Sequence, residues 1–281
     1  MKNYIITADD YGLCPEVDEA IEKLALGGYI STTNVLMNFG TDFSKSPLRG
    51  LENFSLGLHW NVTTGRPLCD PTEVPTLVDS EGRFYSLSEF RRRCRRRKIN
   101  KQDLAKELRR QYEAYEKAFG QPEYWNTHEN SALYPWEYKV FSAIALEKGI
   151  RATRNFQRVY VDYDLAAHGL RRVREFIVKS YINFKFGWIE RKKFAMPDAR
   201  IVTFRNISKT DVNRMRTALD GCRKGTVEII IHPSTSGENA LFGNIGNDRV
   251  LEYETYGSEP MHSLFLENGS RIVDFSVLES R

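Results

Sequence analysis

The sequence predicts an α/β protein built on a mainly parallel sheet, and three observations carry that prediction. Strand-like and helix-like segments alternate along most of the chain, as consecutive β-α units require. Residues able to bind metal or move protons sit at the exits of four strands: Asp9 and Asp10 after NYIITA, His59 after FSLGL, His128 after EYWNT and His232 after TVEIII. Strand C-termini of such a sheet or barrel converge on one face, so residues placed there can share a site. Finally, 281 residues with 41% hydrophobic and 12% aromatic content suffice for a sizeable core, at a length where one β/α barrel is common.

The elements follow in order. NYIITA is a buried strand. Pro15 then starts a helix with Val17, Ile21 and Leu24 on one face, stopped at Gly27-Gly28. YISTTNVLM, rich in β-branched residues, is the second strand and FSLGLHWNV the third. Residues 62–88 are irregular, because Gly65, Pro67, Pro71, Pro75 and Gly82 break any period. Leu104, Leu108, Tyr112, Tyr115 and Phe119 mark one face of a helix over 103–119, closed by Gly120. EYWNTH is a strand, Trp136 to Lys148 a helix ending at Gly149, and GIRATRN a short strand.

The rhythm breaks over 156–198, a basic and aromatic stretch (Arg171, Arg172, Arg174, Phe184, Trp188, Lys192) expected as an inserted helical segment or lid, with RIVTF a strand at its end. A helix through Val212, Met215, Leu219 and Cys222, the strand TVEIII, a helix near 260–267 and a last strand RIVDFSVL complete the chain. There is no repeat and no linker, so one domain over 1–281 is expected.

Composition excludes several classes. Four scattered cysteines (Cys14, Cys69, Cys94, Cys222) make no CxxC pair, which argues against zinc ribbons and disulfide scaffolds and fits a reducing compartment. No run reaches membrane-spanning length and the N-terminus lacks a signal-peptide pattern, so a cytoplasmic location is expected. The 41 basic and 37 acidic residues nearly balance.

Adjacent carboxylates such as Asp9 and Asp10 point to opposite sides of a continuing strand, but at a strand end both can face one cavity. Held close, they differ in proton affinity unless a cation lies between them, so one can bind metal while the other serves as base; a helix-capping pair is the plain alternative. Imidazole nitrogen and carboxylate oxygen form an ordinary ligand set for a catalytic divalent metal. His232 suits a general acid, and Arg151 or Arg154 can brace a carboxylate or bind substrate oxygens.

In chain order, ITADDYGLCPEVDEAI, GYISTTNVLMN, GLHWNVTTGRPL, THENSALYP, IRATR and EIIIHPS resemble the YdjC-like carbohydrate deacetylases, the group containing chitooligosaccharide deacetylases. The first and third segments are the most specific. The resemblance implies a distorted, incomplete TIM-like (β/α) barrel and metal-dependent hydrolysis of acetamido groups on sugars. It also implies one divalent ion, magnesium or zinc, held by Asp10, His59 and His128, with Asp9 as base. His232 as acid, Arg151 or Arg154 steadying Asp9, and substrate contacts from Tyr11, Asn61 and Asn130 complete the expected site. The chain departs from the family pattern D-S-H-x-H-x-H at Asn126, Asn130 and Ala132, which motivates the alternative of a non-catalytic or differently specific glycan- or anion-binding protein.

RRRCRRRK, residues 91–98, is read first as a solvated entry to the 103–119 helix. Its functional alternatives are contact with an anionic or carrier-linked sugar or with an anionic membrane surface; no motif accompanies it that would favour nucleic acid. A homodimer is the remaining partner expectation.

Overall fold

The computed structural model describes residues 2–132, 135–155, 158–159, 177, 180–181, 184–202, 212–222 and 225–278. Its strands are β1 (Lys2–Tyr11), β2 (Thr32–Val35), β3 (Ser55–Trp60), β4 (Tyr124–Thr127), β5 (Ala152–Thr153), β6 (Arg158–Val159), β7 (Ala199–Val202), β8 (Gly225–Ile231) and β9 (Arg271–Ile272). All pair in parallel, in the order β5-β4-β3-β2-β1-β8-β7-β6, with β9 also on β1. Thr7 and Ala8 stand opposite Thr32 and Thr33 on one side and Ile230 and Ile231 on the other.

The strand order fixes the curvature. β5 and β6 stand at opposite ends of the order, yet Thr153 and Arg158 are joined by a stretch that reaches at most ~18 Å. Eight strands laid flat would span ~34 Å. The sheet therefore curls into a half-barrel, and its two-residue edge strands offer little unpaired backbone. Ala195 extends the β5 edge, its N–H donating to Arg151 O and its carbonyl accepting from Thr153 N–H.

Seven α-helices lie among the described residues: α1 (Pro15–Leu26), α2 (Leu87–Arg95), α3 (Lys101–Phe119), α4 (Pro135–Glu147), α5 (Val212–Gly221), α6 (Gly246–Tyr256) and α7 (Glu259–Leu266). Pro15 opens α1, Ser86 Oγ caps α2 and Asn100 Oδ1 caps α3. Between helices and sheet, Trp60 lies against Trp125 and Phe141 at centroid distances of 5.4 and 5.8 Å, all three fully buried. Truncating such a ring to alanine costs about 3–5 kcal/mol. The four cysteines are buried free thiols.

Two expectations change. The first part of the basic run, Arg91 to Arg95, belongs to a separate helix, α2, with Phe90 and Cys94 on its buried face, because Ser86 supplies a cap ahead of it. The tail RIVDFSVL pairs only through Arg271–Ile272 and then turns into a 3₁₀ helix over Phe275–Leu278. Of the expected insertion over 156–198, Arg158–Val159 form β6 beside β7, while most of 156–183, including His168 and Arg171, Arg172 and Arg174, lies outside the described residues.

Candidate active site

Parallel pairing brings the ends of β1, β3, β4 and β8 to one face of the sheet. On β1 the register slips between Ala8 and Tyr11, and Asp10 takes φ 79°, a left-handed conformation costly for a side-chain-bearing residue. That irregularity breaks the strand alternation and lets neighbouring Asp9 and Asp10 serve one site. Gly12 completes the turn at φ 93°; a Cβ there would lie 2.6 Å from the Phe43 ring and 2.7 Å from Leu36 O.

Asp10 Oδ1 lies 2.8 Å from His128 Nδ1 and 3.3 Å from His59 Nε2. The three side chains each offer a donor atom within 4.8 Å of the others, and Asp10 and His59 are 1% exposed. Two imidazoles and a carboxylate at this spacing suit a divalent cation, with charge and donor type shared by magnesium-class and zinc-class ions. His59 Nδ1 is hydrogen-bonded to Asn126 Oδ1 on the adjacent strand. Arg249, on α6, donates from Nη2 to Asp10 Oδ2 at 2.6 Å.

Asp9 is held differently. Arg154 Nη1 and Nη2 donate to its two oxygens at 2.8 and 2.6 Å, and Asn34 Nδ2 donates to Oδ1 at 2.7 Å. Arg154 Nε turns to the fully buried Glu228 at 2.9 Å, which also accepts from Thr7 Oγ1. Burial pushes the Asp9 carboxyl up, but the Arg154 charge and hydrogen bonds hold it well below the ordinary carboxylate range. Asp10 is likewise ionised: burial opposes this, and His128 and Arg249 overcome it. Glu228 is raised by burial despite Arg154.

His232 Nε2 lies 3.8 Å from Asp9 Oδ2, its ring one-third exposed, and its backbone N–H donates to Glu252. Burial lowers its proton affinity, against the opposing charges of Asp9 and Asp10.

Other expected residues fall elsewhere. Arg151 is exposed before β5, and Arg154 alone meets Asp9, because three further residues carry the chain around the strand end. Tyr11 is buried against Phe43 with its hydroxyl bound to Glu22 and Ser46, so it packs rather than contacts substrate. Asn61 is fully buried, accepting from Thr63 and Thr64 N–H and donating to Thr64 O, which consumes it in the loop. Asn130 stays half-buried at φ 52°, taking Arg200 Nη1 on its side chain and Arg91 Nη2 on its carbonyl. Through Arg91, α2 abuts the loop that carries His128. Further along α2, Arg92 and Arg93 pair with Glu89, leaving Arg95 to Lys98 exposed.

The sequence reading missed Arg249, Glu228, Asn34 and Glu252. Only Glu228 carried a local signal, as the single charge inside the apolar strand TVEIII.

No helix among the described residues is long and apolar enough to cross a membrane. A carbohydrate deacetylase of Xenopus laevis is 22% identical over 98% of this chain and 97% of its own length. A carbohydrate deacetylase of Homo sapiens is 28% identical over 53% of this chain and 47% of its own length. A chitooligosaccharide deacetylase of Escherichia fergusonii is 27% identical over 57% of this chain and 62% of its own length. These last two matches thus span about half of each relative. A solved structure, described as a putative cellobiose-phosphate cleavage protein from Enterococcus faecalis, shares the fold with a TM-score of 0.78 over 99% of this chain and 98% of that one, at 21% identity. The profile of the YdjC-like protein family matches residues 3–279, and the chain belongs to that family.

Proposed function

We propose that this protein hydrolyses the acetamido group of an N-acetylated sugar in a metal-dependent reaction. The observation that carries the reading is the meeting of Asp10, His59 and His128 beside an ionised Asp9 clamped by Arg154. The names of the relatives, carbohydrate and chitooligosaccharide deacetylases, supply the substrate class.

Asp10, His59 and His128 would hold the ion. A divalent cation there supplies Lewis-acid polarisation of the acetyl carbonyl and lowers the pKa of the attacking water. Asp9, fixed by Arg154 and Asn34, accepts the proton that the water loses as its oxygen bonds to the carbonyl carbon. His232, its proton affinity lowered by burial, stands 3.8 Å from Asp9 and takes up that proton. It delivers the proton to the nitrogen as the C–N bond breaks, because an amine anion is a poor leaving group. Asn130, half-buried on the rim, remains the substrate contact of this scheme. The non-catalytic reading drew on the changes at Asn126, Asn130 and Ala132; of these, Asn126 still engages His59, which favours the enzyme.

Acetate release from N-acetylglucosamine oligomers, with and without a chelator, tests the reading. Release that the chelator abolishes and a divalent ion restores is expected. Release unaffected by metal removal contradicts it.

A further inference from the structure

We infer that Arg249 is a positioning residue that reserves Asp10 Oδ2 and so leaves only Oδ1 of that carboxylate to the cation. The inference rests on the metal site proposed above.

Arg249 is 5% exposed, its guanidinium 4.8 Å from the Phe242 ring centroid, and its backbone carbonyl accepts from Ser234 N–H. It lies one turn into α6, whose first residue, Gly246, packs so closely that a Cβ there would sit 2.0 Å from Gly237 O. The helix start is therefore set firmly against the loop that follows β8. Among the described residues, Nη2 on Asp10 is the only side-chain hydrogen bond Arg249 makes; Nε and Nη1 have no protein partner. A buried arginine whose sole polar contact is a metal-ligand carboxylate is poorly explained as a structural ion pair. Arg154, by contrast, spreads its donors over Asp9 and Glu228.

The two oxygens of Asp10 are divided. Both histidines approach Oδ1, and Arg249 alone takes Oδ2. A carboxylate can offer a cation one oxygen or both, and a catalytic centre needs positions left open for water and substrate. A fixed cation beside the site repels the metal, so Arg249 gives up some affinity. What it secures is a ligand that cannot swing to offer both oxygens.

The test uses the full chain, stripped of metal and titrated with Co²⁺, followed by its visible absorption and by acetate release from N-acetylglucosamine oligomers. For Arg249→Met, which keeps an apolar stem over Phe242, Co²⁺ affinity is expected to hold or tighten, the Co²⁺ spectrum to change, and turnover to fall ~10–100-fold. Arg249→Lys, which retains a cation near Oδ2, restores the spectrum and most of the turnover. An unchanged spectrum in Arg249→Met, affinity falling in step with turnover, or no recovery with Lys overturns the inference. Arg249→Gln, too short to reach Oδ2, carries the same expectation should the Met variant not fold. Wild-type protein that binds no Co²⁺ defeats the metal reading itself, a result distinct from wild-type binding that Arg249→Met leaves unaltered.

Discussion

His59 Nδ1 meets Asn126 Oδ1 across the β3–β4 pair, at the register position where the two residues stand side by side. An amide oxygen carries no proton, so Nδ1 is the donor and Nε2 presents its lone pair toward Asp10. The bond selects the tautomer a cation needs. Asn126 Nδ2, buried, has no partner. Asn126→Leu is expected to weaken divalent-ion affinity by ~10–100-fold, and Asn126→Asp to match or exceed wild type, since a carboxylate strengthens the same contact without an orphaned amide. Calorimetric titration with Zn²⁺ checks both; equal affinity in Asn126→Leu would remove the orienting role.

Arg154 and Arg151 should behave oppositely. Removing Arg154 leaves Asp9 and Glu228 buried without their cation, a loss of about 3–5 kcal/mol, whereas Arg151→Ala on the exposed strand end should stay within about 0.5 kcal/mol of wild type. Urea unfolding of the two variants measures the contrast.

His232→Asn should slow acetate release by at least ~100-fold and leave metal content unchanged, because His232 faces Asp9 rather than the cluster on Asp10. Metal loss in this variant would move His232 into the ligand set.

Away from the site, burial and the nearby Glu22 and Glu16 charges raise the Asp18 carboxyl to about 7, against the stabilising Gly12 N–H bond. The unfolded chain ionises this group at its ordinary value near 4, so between there and 7 the folded state holds more protons and stability falls as pH rises. Asp18→Asn, which keeps an acceptor for Gly12, should therefore melt ~2–4 °C above wild type at pH 8 and level with it at pH 4. A difference that grows toward acid would reverse the sign of this account.

Much of the half-barrel was legible because β1, β3 and β8 carry apolar runs closed by a polar exit, and parallel pairing does the rest. His59, His128 and the aspartate doublet stood out for the same reason. Tyr11 and Asn61 show where adjacency in sequence stops informing: a side chain beside a ligand can point into the core or into its own loop. Arg249 was invisible, since an arginine on an amphipathic helix reads as a surface residue until tertiary packing delivers it to Asp10. The bulge at Asp10 was equally hidden, because nothing in the strand pattern marks where the register of β1 slips.

The central claim is that Asp10, His59 and His128 bind one cation together. Equilibrium dialysis of the stripped protein against Zn²⁺ tests it most directly. Wild type should retain about one equivalent at micromolar metal, and His59→Ala and His128→Ala should each retain essentially none. Variants that bind as wild type does, or a wild type that binds nothing, would contradict it.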